Sequence, residues 1–97
     1  MADAASESSE NRAIITVLGS DRPGIVAAVA GALSDRDANI LDISQTILQG
    51  TFTMTMLVAL GSADFSELKD TLDKLSEKLG VQIVLQREEV FKFMYRL

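Results

Sequence analysis

Residues 13–33 read AIITVLGSDRPGIVAAVAGAL, and the change of period inside this stretch decides the fold. Ala13-Ile14-Ile15-Thr16-Val17-Leu18 is a short β-branched run that stops at Gly19. It reads as a strand buried on at least one face. Ser20-Asp21-Arg22-Pro23-Gly24 is a turn cluster with Pro and Gly side by side. Ile25, Val29 and Leu33 then recur at four-residue spacing, flanked by Val26 and Ala30, which predicts an amphipathic helix. Pro23 suits the first helical turn, where its missing N–H has no partner to lose. Ser20 or Asp21 is placed to supply the N-cap. The chain therefore begins with a strand that feeds a helix through a tight turn.

The remaining elements follow outward from this unit. The helix should end near Asp35-Arg36-Asp37. Ala38 to Leu48 carries Ile40, Leu41, Ile43 and Ile47, a second strand whose adjacent Ile40 and Leu41 predict a bulge or a strong twist. Gln49-Gly50 is a hairpin turn signal. From Thr51 to Leu60 the alternation is clean, with Phe52, Met54, Met56 and Val58 on one side and Thr51, Thr53 and Thr55 on the other. Ser62-Ala63-Asp64 opens a second helix, whose stripe is Phe65, Leu68, Leu72, Leu75 and Leu79. Gly80 stands where a left-handed C-cap belongs. Val81 to Gln86 is a fourth strand, and Val90, Phe91, Met94 and Leu97 predict a short closing helix over 88–97. The order β-α-β-β-α-β is the α+β, ferredoxin-like sandwich, a four-stranded antiparallel sheet with two helices on one face. The other sheet face needs cover, because Ile15, Val17, Leu41, Ile43 and Val84 require burial there. A second copy of the chain is the expected cover.

Composition narrows the function. The 97 residues are 47% hydrophobic and 24% charged, which is one ordinary globular domain. The 14 acidic and 9 basic residues leave a net charge of −5. That argues against nucleic acid, whose recognition needs clustered Lys and Arg. Residues 1–11, MADAASESSEN, hold three acids and no base and read as a disordered acidic tail before a domain spanning 12–97. They lack the basic start and apolar run of a signal peptide, and no stretch is long and apolar enough for a membrane span, so the cytoplasm is expected. The chain has no Cys, no His and no Trp. Disulfides, zinc fingers, thiol nucleophiles and the commonest general base are thereby removed.

The suggestive site is the loop from Gly19 to Gly24. A helix N-terminus offers unpaired N–H groups and partial positive charge to an anionic group. Gly24 lets a ligand approach the backbone, although Pro-Gly is also an ordinary strand-to-helix turn. Asn39 opens the second strand, where its amide could bind a carboxylate and an ammonium near the Gly24 loop, or merely finish a turn. Asp21 fits an ammonium or, more simply, a helix cap. Met54 and Met56 alternate with Phe52 and Val58 and read as core. Lys69, Asp70, Asp73, Lys74, Glu77 and Lys78 form a solvated helix face, with pairs such as Asp70–Lys74. Phe91-Lys92-Phe93 is a poor nucleic-acid signal in an acidic chain. Asp35, Asp37 and Asp42 are close in sequence without a reason to converge. No catalytic constellation, metal site or cofactor is expected.

Asp21-Arg22-Pro23-Gly24-Ile25-Val26, followed by Ala38-Asn39-Ile40-Leu41-Asp42-Ile43, resembles the two signatures of an ACT domain. The resemblance covers Arg12 to about Gln86 and is nearest to the ACT domains of the glycine-cleavage regulator and formyltetrahydrofolate deformylase. With the EEVFKFMYRL ending, the chain looks most like a small bacterial and archaeal family of single ACT proteins. The resemblance implies paired domains that bind an amino acid or similar small effector at a homodimer interface. The positions it points to are Gly19, Asp21, Arg22, Pro23, Gly24, Ile25, Asn39 and Ile40. One departure is Asp21, where several amino-acid-binding members carry Asn; a carboxylate there repels a ligand's carboxylate unless it faces the ammonium or caps the helix. Two other readings compete. One is a ligand-independent dimerisation or interaction module, docked on a metabolic enzyme. The other is a small ferredoxin-like hydrolase such as an acylphosphatase, for which Arg22 and Asn39 match by residue type alone. Neither nucleic acid nor membrane is an expected partner.

Overall fold

The computed structural model describes residues 11–20 and 23–94, the last three of these as backbone. The strands are β1 (Arg12–Ser20), β2 (Asn39–Leu48), β3 (Thr51–Ala59) and β4 (Gln82–Arg87). The helices are α1 (Ile25–Asp35), α2 (Phe65–Leu79) and α3 (Glu88–Met94). The sheet order is β2-β3-β1-β4 and every neighbouring pair is antiparallel. This is the expected ferredoxin-like arrangement. Asn11, read from the sequence as the end of the tail, joins the body: its carbonyl accepts the Leu60 N–H at 2.7 Å.

Local chemistry explains each boundary. Gln49 and Gly50 both take positive φ, 53° and 83°, the twist that a two-residue hairpin between right-twisted strands demands. Asp64 caps α2, its carboxylate accepting the Ser66 N–H at 3.1 Å. Gly80 ends α2 at φ 71°. The Arg87 guanidinium lies 4.4 Å from the centre of the Phe65 ring and ties the end of β4 to the start of α2.

The core lies between the sheet and the pair α1 and α2. Met54, Met56, Val58, Ile15, Val17, Val29 and Leu68 are all fully buried there. The methionines are core, as their alternation indicated, and each buried side chain of this size contributes about 1.5–3 kcal/mol. Two expectations about the bare sheet face need correcting. Ile15 pairs with Met56 and Val17 with Met54, so both point to the helices. The run Ala13-Ile14-Ile15 is apolar on both phases, which hid the inward one. Ile43 also pairs with Met56 and shares the helix side. The register shift between Ile40 and Asp42 is the predicted bulge, and it moves Ile43 to the opposite face from the one assumed. Val84 stands on the bare face, 48% exposed.

The C-terminal helix α3 contacts β1 and β4. Arg12 and Glu88 form an ion pair at that end of the sheet. Glu88 is the one buried charged residue among those described. The pair holds α3 beside Ile14, which is 8% exposed although it points away from α1 and α2.

Candidate functional site

β1 delivers the glycine loop at the end of the sheet where β2 finishes and β3 begins. Gly19 pairs with Phe52, and Phe52 pairs with Ile47 on the other side. A Cβ on Gly19 would sit 2.6 Å from Val81 Cγ1. Gly19 is therefore glycine so that the end of β1 can lie against Val81. Pro23 and Gly24 are exposed. Gly24 is the N-cap of α1, in the left-handed region at φ 89°, and no described side chain caps the helix. The cap falls at Gly24 rather than at Ser20 or Asp21, and Pro23 precedes the helix instead of starting it. The glycine turns the chain straight into the helix, and its carbonyl accepts the Ala28 N–H at 2.9 Å. The first-turn N–H groups beyond Gly24 remain available to an anion. Ile25 is 2% exposed and belongs to the core, so only its backbone faces the loop. Asp21 and Arg22 lie outside the described residues.

Asn39 stands at the other end of the sheet, paired with Ala59. Ala59 in turn pairs with Arg12, the first residue of β1. The full length of α1 separates Asn39 from Gly24, about 16 Å for a helix of this size. The expected meeting of Asn39 with the Gly24 loop does not occur within one chain, because the helix between them carries the backbone back across the sheet. Asn39 is exposed and Ile40 half-buried. With Ala30, Ser34 and Asp37 they line an open recess of about 500 Å³. The left-handed corner before β2 falls on Asp37, at φ 60°, and leaves Asn39 in extended backbone. The carboxylates do not converge. Asp35 ends α1, Asp37 sits in the turn, and Asp42 accepts the Ile43 N–H at 2.9 Å on the bare face.

Edge strand β2 contributes Asn39 and Ile40 to the sequence-predicted site, but nothing from the eight residues that follow them. Every residue from Leu41 to Leu48 is exposed. Ile43 and Ile47 lie on the helix side of this edge, 38% and 58% exposed, because their strand has only part of α1 over it. The signal was present in the bulge, which reverses the phase of everything after it.

Comparisons with known proteins agree with this architecture. Residues 11–86 match the ACT domain. The UPF0237 protein of Methanocaldococcus jannaschii is 48% identical over 89 residues, covering 90% of this chain and 99% of that protein. An ACT domain protein from Streptococcus pneumoniae superposes with a TM-score of 0.73 at 40% identity, covering 84% of this chain and 93% of that one. A putative glycine cleavage system transcriptional repressor superposes with a TM-score of 0.72 at 26% identity, covering 78% of this chain and 44% of the repressor. By sequence match, element order and superposition alike, the chain belongs to the ACT-domain family.

Proposed function

We propose that this protein is a homodimeric regulatory module that binds an amino acid or a related small effector between two copies of the chain. The family and its structural neighbours, a transcriptional repressor among them, support a regulatory, small-molecule-binding role in general terms. The observation that carries the finer reading is the separation of the two half-sites along an uncovered edge. The glycine loop and Asn39 mark opposite ends of the sheet, and β2 runs between them with Ile43, Ile47 and Leu48 exposed. An open apolar edge invites a strand from another chain. A two-fold axis through the middle of β2 makes that strand the β2 of a copy, running antiparallel. The start of one β2 then lies beside the end of the other, so Asn39 of one protomer approaches the glycine loop of its partner. In such a site the first-turn N–H groups of α1 hold a carboxylate, and the Asn39 amide accepts from the ammonium.

Calorimetric titration with the common amino acids tests the reading. One of them should bind the wild type, and Asn39→Ala and Gly24→Val should each lose it. Mixing those two variants should restore binding to the heterodimer fraction, since one of its two sites keeps both intact halves. A stable monomer, or a mixture that stays inactive while the wild type binds, would overturn the shared site. A dimer that binds no small molecule would leave the interaction module, with a metabolic enzyme as its partner.

A further inference from the structure

We propose that the effector is a basic amino acid, and that Asp37 recognises its side-chain cation. This rests on the proposed site between two β2 edges and names the class of ligand which that site selects. The recess beside Asn39, about 500 Å³, lies between the second half of α1 and the start of β2. That volume falls in the range of small-molecule sites, roughly 300–1,000 Å³. Ala30, Ala38 and Ile40 are half-buried and give the recess an apolar floor, while Ser34 and Asp37 are exposed at its edge. The backbone of Asp37 is fixed in the corner before β2, at φ 60°, with its N–H donating to the Ser34 carbonyl at 3.1 Å. Its carboxylate has no cation beside it among the described residues, whose ion pairs join Arg12 to Glu88 and Lys69 to Asp73. The neighbouring cation, Arg36, is turned towards α2 instead. It donates to the Ala32 carbonyl at 3.2 Å and to the Thr71 hydroxyl at 2.8 Å, and it lines a separate groove.

The main-chain groups of an amino acid already have their partners in the proposed site. The α-carboxylate meets the first-turn N–H groups of α1 from the other copy, and the α-ammonium meets Asn39. Pairing of two β2 edges about an axis normal to the sheet keeps the helices of both copies on one side, so those N–H groups face this recess. The ligand's side chain then runs over Ala30, Ala38 and Ile40 towards Asp37. A lysine-like side chain suits such a path, because it lays its methylenes on apolar surface and keeps its cation in water. The carboxylate at the far end attracts a cation and repels an acidic side chain. The C-terminal end of α1, which has no basic residue in its last turn, adds partial charge of the same sign. A short apolar side chain would leave Asp37 without a role.

Calorimetric titration of the full chain with lysine, Nε-acetyl-lysine and glutamate tests the proposal. Acetylation keeps the stem and removes the charge, so the first pair isolates the contact with Asp37. The wild type should bind lysine about two- to fivefold tighter than Nε-acetyl-lysine, the usual worth of an exposed ion pair, and glutamate more weakly than either. In Asp37→Asn the two lysines should bind alike. That variant should keep the fold, since Asn tolerates the left-handed corner. Should it not fold, the ligand series on the wild type decides alone. The two readings fail separately. If Nε-acetyl-lysine or glutamate binds the wild type as tightly as lysine, and Asn39→Ala abolishes that binding, the side-chain class is overturned while the shared site stands. Equal weakening of lysine and Nε-acetyl-lysine in Asp37→Asn would assign Asp37 to the α-ammonium and overturn the proposal too. A wild type that binds no common amino acid overturns both readings.

Discussion

At Gly19 an added methyl group would meet Val81 Cγ1 at 2.6 Å and Val81 Cβ at 2.9 Å. At Gly24 the same methyl group would meet nothing within 4 Å, but the backbone stands at φ 89°. The two glycines of the loop thus answer different demands, close packing at one and left-handed geometry at the other. Gly19→Ala should cost about 1–3 kcal/mol, the usual range for overpacking. Val81→Ala removes Cγ1 but keeps the Cβ at 2.9 Å, so it should relieve part of the clash, and in urea unfolding the double variant should lose less than the sum of the single ones. Additive losses would show that the Cγ1 contact is not the cause. Gly24→Ala should cost about 1–2 kcal/mol through backbone strain alone. Gly24→Asn should recover part of that, because Asn tolerates the left-handed region.

Among the elements, α2 was the most legible. Its stripe, its start after Ser62-Ala63-Asp64 and its Gly80 stop all come from local rules and stand in the structure, which puts the cap itself on Asp64. Asp64→Ala should cost about 1 kcal/mol, measured as a shift of the unfolding midpoint. The hairpin was equally plain, yet Gln49 is not the residue its φ of 53° favours. Gln49→Asn should raise stability by about 0.5 kcal/mol, and a loss there would contradict the turn assignment. The faces of β1 and β2 were harder to read. β1 is apolar on both phases because the core covers one side and α3 part of the other. In β2 the bulge was visible in Ile40-Leu41, but its consequence, the reversal of Ile43 and Ile47, needs the pairing with β3 to be seen. Periodicity reports an alternation; it does not say which side the helices take.

For the whole molecule, the sequence named Gly24 and Asn39 and placed them together, since few residues separate them along the chain. Space separates them by the length of α1, and a second protomer is what could reunite them. Sequence proximity failed here for a topological reason, because every crossover helix in this fold returns the chain to the far end of the sheet. The same topology leaves the β2 edge and one face of a two-layer sandwich open, the edge with Ile43 and Ile47, the face with Leu18 and Val84. If copies of the chain cover them, folding and association are one equilibrium, and stability depends on protein concentration. The melting temperature of the wild type should then rise by about 3–5 °C for each tenfold increase in concentration, given the unfolding entropy of a domain this size. The double variant Ile47→Lys/Val84→Lys should melt at a temperature independent of concentration. Its single variants should each keep part of the dependence, because each leaves one surface able to pair. A wild type whose melting point does not move with concentration would mean that the edge and the face are tolerated bare, and that the apolar residues on them serve a different partner.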